Sequence, residues 1–563
     1  MKLLNFSVGR VQTIEIGGES IRTAYVKTPV AEPWIVTPQG ARGDERAVHP
    51  DKIYAYARSS YDYWAEYLNT DPAWWPDGFF GENLTFDVLE EAALRIGDVY
   101  ALGDEVRLVV AGPRNPCAKL SWRLEQPPTF QKIFQQSGHT GVYFGVLNAG
   151  TLRPGDIAQR LHRDPSMPTV VEAAGFAAGH AVPPLEPLRR LLAFEHLSGT
   201  IRHVLHAKLE SAERAAAAVE GRWKGWRAFR IERIVEETPD VRSAHLRPTD
   251  RKRLCQPRPG QFVSVRMQDT AGKAITRTWS LSSFGPEMDS YRISVRRQAG
   301  AGSRWMHQAQ AGATVMLRAP AGDFVLDLGA FRPVVMIAAG IGITPLLAML
   351  HAHLARGPAA APIFLVYGAR TPAELAFRAE LDALSAAHPS LHITYVYSRS
   401  DAAGRPAGRI TPKLILGVLS DLHVMLEGGR RIPLPWFEHD AYICGPGDFC
   451  QTIKSQLVDR GANPDCIFLE NFSTPAPESS DLDTAQIKFL RSGITCVWNA
   501  DEDLTLLEVA ENCGVATQSD CRAGACLTCK TAVIAGETTV QTGDGSTLLC
   551  IGRPKTRVVV LDR

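Results

Sequence analysis

The sequence predicts a multi-domain chain. A mostly β front segment is followed by a small helical appendage, an antiparallel β-barrel, an α/β unit on a parallel sheet, and a small last domain. Three observations predict this. At about 100–200 residues per domain, 563 residues suggest roughly three to five domains. The hydrophobic period changes along the chain from two, to helical, back to two, and then to strands alternating with helices. A polar Pro/Ser-rich stretch, STPAPESSDLDTA at 473–485, has the composition of a linker ahead of the last domain.

Composition narrows the function classes. The formal net charge of +1 points to neither nucleic acid nor an anionic membrane surface. Met1 to Arg10 has no apolar run of signal-peptide length. Pro333 to Leu350 is uncharged, but Gly340, Gly342 and Pro345 make it read as strand, tight turn and helix rather than a membrane span. The expectation is a soluble, cytoplasmic protein acting on a small molecule, with no nucleic acid and no membrane partner. Without a secretion signal, the eleven cysteines predict no disulfide framework. Cys496 and Cys513 read as buried small hydrophobes.

The elements follow in order. Residues 1–165 alternate short β-rich runs with turns, as in Glu105 to Val110. Residues 166–220 turn helical, with helices expected over Leu188 to Leu209 and Ser211 to Glu220. Residues 225–328 return to period two, as in Arg230 to Val235 and Phe262 to Val265, and suggest a β-barrel. In 329–473 the apolar runs Val334–Ala338, Ile363–Tyr367, His392–Tyr397 and Ala441–Cys444 look like parallel, doubly covered strands. Residues 486–563 form the last domain.

That domain carries the most specific pattern, Cys521-x4-Cys526-x2-Cys529 with Cys550 further on. The spacing is that of a plant-type 2Fe-2S cluster, in which one loop supplies three thiolates and a distant residue the fourth. Zinc sites favour paired C-x2-4-C knuckles, and one half of that pattern is missing. Gly524, with the small Ala523 and Ala525, lets backbone N–H groups approach the sulfurs. The segment resembles the plant-type ferredoxin family, which implies an α+β domain.

Arg277-Thr278-Trp279-Ser280 ends a strand, and Gly300-Ala301-Gly302-Ser303 precedes a helical pattern, a place suited to phosphate. Ala339-Gly340-Ile341-Gly342-Ile343-Thr344-Pro345 follows the first apolar strand, where backbone can approach a pyrophosphate. Cys444-Gly445-Pro446-Gly447 follows a later one. Ligands of open α/β sheets bind at these carboxyl ends. The set resembles the ferredoxin reductase superfamily, especially the phthalate dioxygenase reductase and flavohaemoglobin branches. The resemblance implies flavin contacts at Arg277, Trp279, Ser280, Gly302 and Ser303. It implies nucleotide contacts at Gly340, Gly342, Thr344, Pro345, Gly445 and Pro446, and a catalytic place beside the nicotinamide for Cys444. Glu470-Asn471-Phe472 matches the family's terminal aromatic region, so Phe472 either stacks on the flavin or is a core aromatic. FAD is the expected flavin, with FMN the alternative. NADH and NADPH are both compatible, since Arg370 and Arg399 could meet a 2′-phosphate or only solvent.

In front, Arg114-Asn115-Pro116-Cys117-Ala118-Lys119 follows a strand, and the two cations would favour a thiolate suited to a soft metal. Lys27-Thr28-Pro29-Val30, the stretch from His49 to Tyr56, Phe80-Gly81-Glu82-Asn83-Leu84 and Gly138-His139-Thr140-Gly141 accompany it. Together they resemble MOSC domains, named for the C-terminal domain of molybdenum cofactor sulfurases, and 166–220 resembles the three-helix appendage of one MOSC branch. The resemblance makes Cys117 a catalytic molybdenum ligand and places cofactor contacts at Lys27, Arg114, Asn115 and Lys119. Relatives reduce N-hydroxylated compounds with separate electron carriers. The expected function is therefore a self-sufficient oxidoreductase using NAD(P)H, flavin, a 2Fe-2S cluster and a molybdenum cofactor. The alternative is a reductase serving an external electron acceptor protein such as an oxygenase, with the MOSC domain a carrier or docking module. The oligomeric state is unknown at this point.

Overall fold

The computed structural model describes the chain other than residues 46–50, 179–183, 220, 224, 251, 269–271, 273, 286–287, 329–331, 358–360, 400–407, 427–429, 473–479, 503, 518–523, 525–528 and 543–544. Cys521, Cys526 and His49 therefore lie outside the described residues.

The front region is built on an eight-stranded sheet whose third strand from one edge is Val106–Pro113. That strand reads almost continuously apolar because it is buried nearly throughout. It pairs with Val142–Asn148 on one side and Val99–Leu102 on the other. Helices Arg58–Tyr67 and Phe130–Gln136 close an aromatic cluster containing Tyr54, Tyr56, Trp64, Phe80, Phe134 and Tyr143. After the strand Val106–Pro113, the chain turns through Arg114 to Cys117 into the short helix Ala118–Arg123.

The helical appendage comprises Val170–Ala178, Leu185–Ala193 and Gly199–Val219. The helix expected over Leu188 to Leu209 is thus broken at 194–198, and its second half merges with the one expected from Ser211. A capping carboxylate explains the break: Asp51, far away in sequence, accepts from Gly199 N–H at 3.1 Å and Thr200 Oγ1 at 2.9 Å. The long helix is then tied to the end of the barrel segment, just ahead of the nucleotide unit, through Lys208 and Asp327, 2.8 Å apart.

Six antiparallel strands follow, from Ala274–Ser280 at one edge to Tyr291–Arg296 at the other, with a bridge between Leu281 and Ile293 joining the edges. The next sheet is parallel, in the order Leu391–Tyr397, Ile363–Ala369, Val334–Ala339, Asp440–Gly445, Ile467–Asn471. All four runs read as parallel strands in the sequence lie in it. Chain order reverses between Val334–Ala339 and Asp440–Gly445, which opens a crevice beyond their carboxyl ends. The run Pro333 to Leu350 resolves into strand, a turn at Gly340–Gly342 and the helix Ile343–Leu354. No helix among the described residues is long and apolar enough to cross a membrane.

The last sheet has five strands, packed on the helix Leu506–Asn512, which starts with a capping box from Thr505 and Glu508. Its first strand begins at Thr484, inside the stretch read as linker. Cys496 and Cys513 depart from expectation. Cys496 is buried, but Cys513 follows the helix end, is exposed, and is joined to Cys496 as a disulfide.

Candidate functional site

A cavity of about 690 Å³ lies at the switch point of the parallel sheet, with Gly340, Gly368, Arg370, Ser398 and Pro446 on its wall. Gly340 sits at φ +56°, a left-handed turn that glycine adopts without steric cost. Gly342, Gly445, Thr344 and Pro345 pack the turn beneath the cavity. A Cβ on Gly342 would run into the Cys444 carbonyl, so this glycine lets the turn close on the Cys444 strand. Gly445 packs against Ala339 in the same way. Thr344 and Pro345 are buried in the first helical turn, and Thr344 Oγ1 donates to the Ile341 carbonyl at 3.0 Å. Arg370 faces the cavity but is paired with Glu374 and, at 3.4 Å, with Asp240. Arg399 is exposed off the cavity wall.

Beside this cavity the fold gathers Ser280, Cys444 and Glu470. Glu470 is the register partner of Cys444 on the edge strand, and its carboxyl is hydrogen-bonded with the Ser280 side chain. Its Oε2 is buried with no hydrogen-bond partner among the described residues. Burial pushes the Glu470 carboxyl up to about 8, and burial pushes the Cys444 thiol well above its ordinary range. Both groups are therefore protonated at neutral pH. Glu470 stands in the motif singled out for Phe472, but its chemistry depends on a serine 190 positions earlier, which no local pattern reveals. Phe472 is 43% exposed, which removes the core reading.

Arg277 is exposed and stands over Gly302, where a Cβ would come within 2.5 Å of its Cγ. Gly302 and Ser303 lie inside the helix Ala301–Gln308 rather than ahead of it, because Gly300 is the N-cap. Ser303 Oγ donates to the Arg296 carbonyl at 3.0 Å and accepts from Gln298 N–H at 2.8 Å, so it fastens the loop. Trp279 is half-buried against the sheet core. An exposed arginine over a bare glycine fits the phosphate of a flavin.

In the last domain, Cys529 and Cys550 are buried. Gly524 N–H donates to Cys550 Sγ at 3.2 Å, the backbone-to-sulfur approach an iron–sulfur loop needs. Gly524 sits at φ +73°, and a Cβ there would meet Ile551 Cδ1 at 2.5 Å.

In the front region Cys117 is half-buried at the N-cap of Ala118–Arg123. Arg114 is buried and donates to the Phe80 carbonyl at 2.6 Å, Tyr25 Oη at 3.2 Å and Tyr54 Oη at 3.3 Å. Burial keeps the hydroxyls of Tyr25, Tyr54 and Tyr143 protonated, so they leave its charge intact. A buried guanidinium whose partners are neutral, within charge range of Cys117, fits an anionic cofactor. Lys27 differs: it is buried in an ion pair with Asp44, 2.6 Å away. Asn115 Oδ1 accepts from Gln135 Nε2 at 3.2 Å, and Lys119 is half-buried on the Cys117 helix. Other motif residues are scaffold. Glu82 accepts from Gly78 N–H and Tyr61, and Glu91 fastens the Thr140–Gly141 loop with three hydrogen bonds.

Three family models match in this order: MOSC domain over 43–159, oxidoreductase NAD-binding domain over 336–455, and 2Fe-2S iron–sulfur cluster binding domain over 490–555. The chain is 30% identical over 362 residues to the glycine betaine monooxygenase reductase subunit of Chromohalobacter salexigens, covering 59% of this chain and 94% of the relative. It is 35% identical over 258 residues to the flavohemoprotein of Pseudomonas aeruginosa, covering 45% of this chain. The chain spans about 60% of the length of that flavohemoprotein. Among solved structures, it is similar to the FAD/NAD-binding domain of nitric oxide dioxygenase from Vibrio cholerae, with 28% identity, coverage of 44% and 98%, and a TM-score of 0.38. The chain belongs to the flavin and 2Fe-2S reductase family of NAD(P)H-dependent electron-transfer oxidoreductases, here with a MOSC domain fused in front.

Proposed function

We propose that the chain is a self-sufficient reductase of N-hydroxylated compounds, in which electrons from NAD(P)H reach a molybdenum cofactor held at Cys117. The net reaction balances as NAD(P)H, a proton and a hydroxylamine giving NAD(P)+, an amine and water. When bound, a flavin converts hydride to single electrons, a 2Fe-2S cluster relays them, and a molybdenum cofactor accepts the substrate oxygen. FAD is the flavin we assign, with Arg277 over Gly302 as its phosphate contact. Units at 1–165, 166–220, 225–328, 329–473 and 486–563 would carry these parts.

The chain's own groups supply the rest. Gly340 and Pro446 border the nucleotide. Protonated Glu470, joined to Ser280, holds a proton where the flavin ring would lie, and the neutral Cys444 thiol lets a nicotinamide approach without meeting a charge. Cys521, Cys526, Cys529 and Cys550 ligate the cluster. In front, Cys117 offers a thiolate to the metal and Arg114 offers a charge to the cofactor's anionic groups, with Asn115 and Lys119 on the same turn. Lys27, paired with Asp44, holds the strand beneath.

The observation carrying this reading is the buried Arg114 guanidinium, without a carboxylate partner among the described residues, beside a half-exposed cysteine at a helix start. The test is metal analysis of protein made in molybdenum-replete cells, together with NADH- or NADPH-driven reduction of a hydroxylamine with no added carrier. About one molybdenum per chain and carrier-free turnover support it. Iron and flavin alone, with turnover only of an added acceptor protein, favour the second reading. That reading, an electron supply for a separate oxygenase, is favoured by the similarity to a monooxygenase reductase subunit.

A further inference from the structure

The residues that hold Cys117 in place do not all belong to the front region. Ala118 is the first residue of the helix that Cys117 caps, and its N–H lacks an intrahelical acceptor. Its partner lies 320 residues away: Glu438 Oε1 accepts from Ala118 N–H at 3.1 Å. Glu438 stands in the loop that leads into the strand Asp440–Gly445 of the nucleotide sheet. Its other oxygen meets Arg332 at 3.5 Å, and Arg332 donates to Cys466 Sγ at 3.0 Å. The Arg332 charge is within range of Cys117 as well.

This contact sits in a formed junction. Ile16, Ile21 and Ala118 of the front region pack on the core containing Trp436 and Phe437. A cavity of about 180 Å³ lies there, and Ser121 and Gln131, both more than nine-tenths buried, line it. Ser121 Oγ and Gln131 Oε1 have no hydrogen-bond partner among the described residues. A packed, partly polar junction at the Cys117 helix is more than a tether.

We infer that Glu438 is a positioning residue for Cys117, so that the nucleotide domain completes the metal-binding site of the front domain. Resting on the reading of Cys117 as the metal ligand, this adds a residue from a different domain. The bond fixes the peptide that follows Cys117 and therefore helps set the direction of its Cα–Cβ bond. Neither the front domain alone nor its sequence pattern contains this constraint.

The test compares Glu438→Ala with Glu438→Gln in the full chain, because glutamine keeps an oxygen for Ala118 N–H. In Glu438→Ala, molybdenum content at limiting cofactor falls by about tenfold, the scale of losing an outer partner of a metal ligand. Its residual Mo(V) resonance shifts from the wild-type line shape, whereas Glu438→Gln keeps both near wild type. Flavin and iron content, read by absorbance, confirm that each variant is folded. A second readout needs no metal. Alkylation of Cys117, followed on its own peptide by mass spectrometry, quickens by about fivefold in Glu438→Ala, the effect of one net hydrogen bond. In Glu438→Gln the rate stays closer to wild type than to Glu438→Ala. If Glu438→Ala matches wild type in alkylation, or if glutamine is as damaging as alanine, the inference is overturned. Wild-type protein without molybdenum but with the alkylation pattern intact would overturn the metal reading and keep the positioning role.

Discussion

Two cysteines mark opposite ends of the nucleotide sheet, and their surroundings differ in kind. Cys444 is fully buried at the carboxyl end of its strand, neutral, against the backbone of Gly342 and facing Glu470. Cys117 is half-buried near the amino end of the same strand, at a helix start held by Glu438 and within range of Arg114 and Arg332. Burial without a counter-charge produces a thiol, whereas partial exposure among cations suits a ligand. The difference teaches that a cysteine's chemistry lies in its neighbours, and most of these neighbours come from distant parts of the chain.

The sharpest way to break the comparison is Cys117→Ser. Under the proposed function it abolishes carrier-free reduction of a hydroxylamine by more than about 100-fold, beyond outer-partner effects. Flavin, iron and NAD(P)H–ferricyanide activity stay at wild-type values, measured on the same preparation. Full retention of hydroxylamine reduction would remove Cys117 from the path. Next in size is Cys550→Ser, which costs the 2Fe-2S cluster because thiolates supply its ligands. Iron and acid-labile sulfide disappear while ferricyanide activity, upstream of the cluster, survives.

Glu470→Gln tests the other end. The Glu470 carboxyl, raised to about 8 by burial, keeps its proton at neutral pH and loses it as pH rises. Flavin reduction by NAD(P)H, followed by stopped flow, should fall by several-fold above about pH 8 in wild type and show no such limb in Glu470→Gln. The sign for stability is the same. A carboxyl whose folded pKa exceeds its unfolded value binds more protons when folded, so its contribution fades as pH rises from about 4.5 towards 8. The smallest effect is Gly342→Ala. The added methyl meets the Cys444 carbonyl and destabilises the fold by about 1–3 kcal/mol in denaturant titration.

Legibility in the sequence followed locality. The parallel strands were readable because doubly covered strands are continuous apolar runs, and Val334–Ala339 and Asp440–Gly445 fall where those runs stand. Arg277, Ser280, Gly340 and Cys444 could be picked out because each motif is contiguous. Partners that cross the chain could not. Asp44 neutralising Lys27, Asp51 capping the helix from Gly199, Ser280 meeting Glu470 and Glu438 meeting Ala118 are pairings over 17 to 320 positions. The helix break at 194–198 escaped for the same reason, since its cap, Asp51, lies just ahead of the front-sheet strand Ile53–Ala57. Gly342 was read as clearance for a ligand, and the fold shows that it also gives clearance to a strand end.

The strand Asp440–Gly445 has a kinetic consequence. Asp440 at one end and Cys444 next to the other are separated by about 13 Å at roughly 3.3 Å per residue, with Glu438 beyond the first end and Glu470 beside Cys444. A nicotinamide at one end and an oxidised substrate at the Cys117 end would occupy separate rooms and share no atoms. Under the proposed function, neither substrate competes with the other for a binding place, and hydride never passes between them. Only electrons are exchanged, so each half-reaction can be saturated, inhibited or evolved without disturbing the affinity of the other.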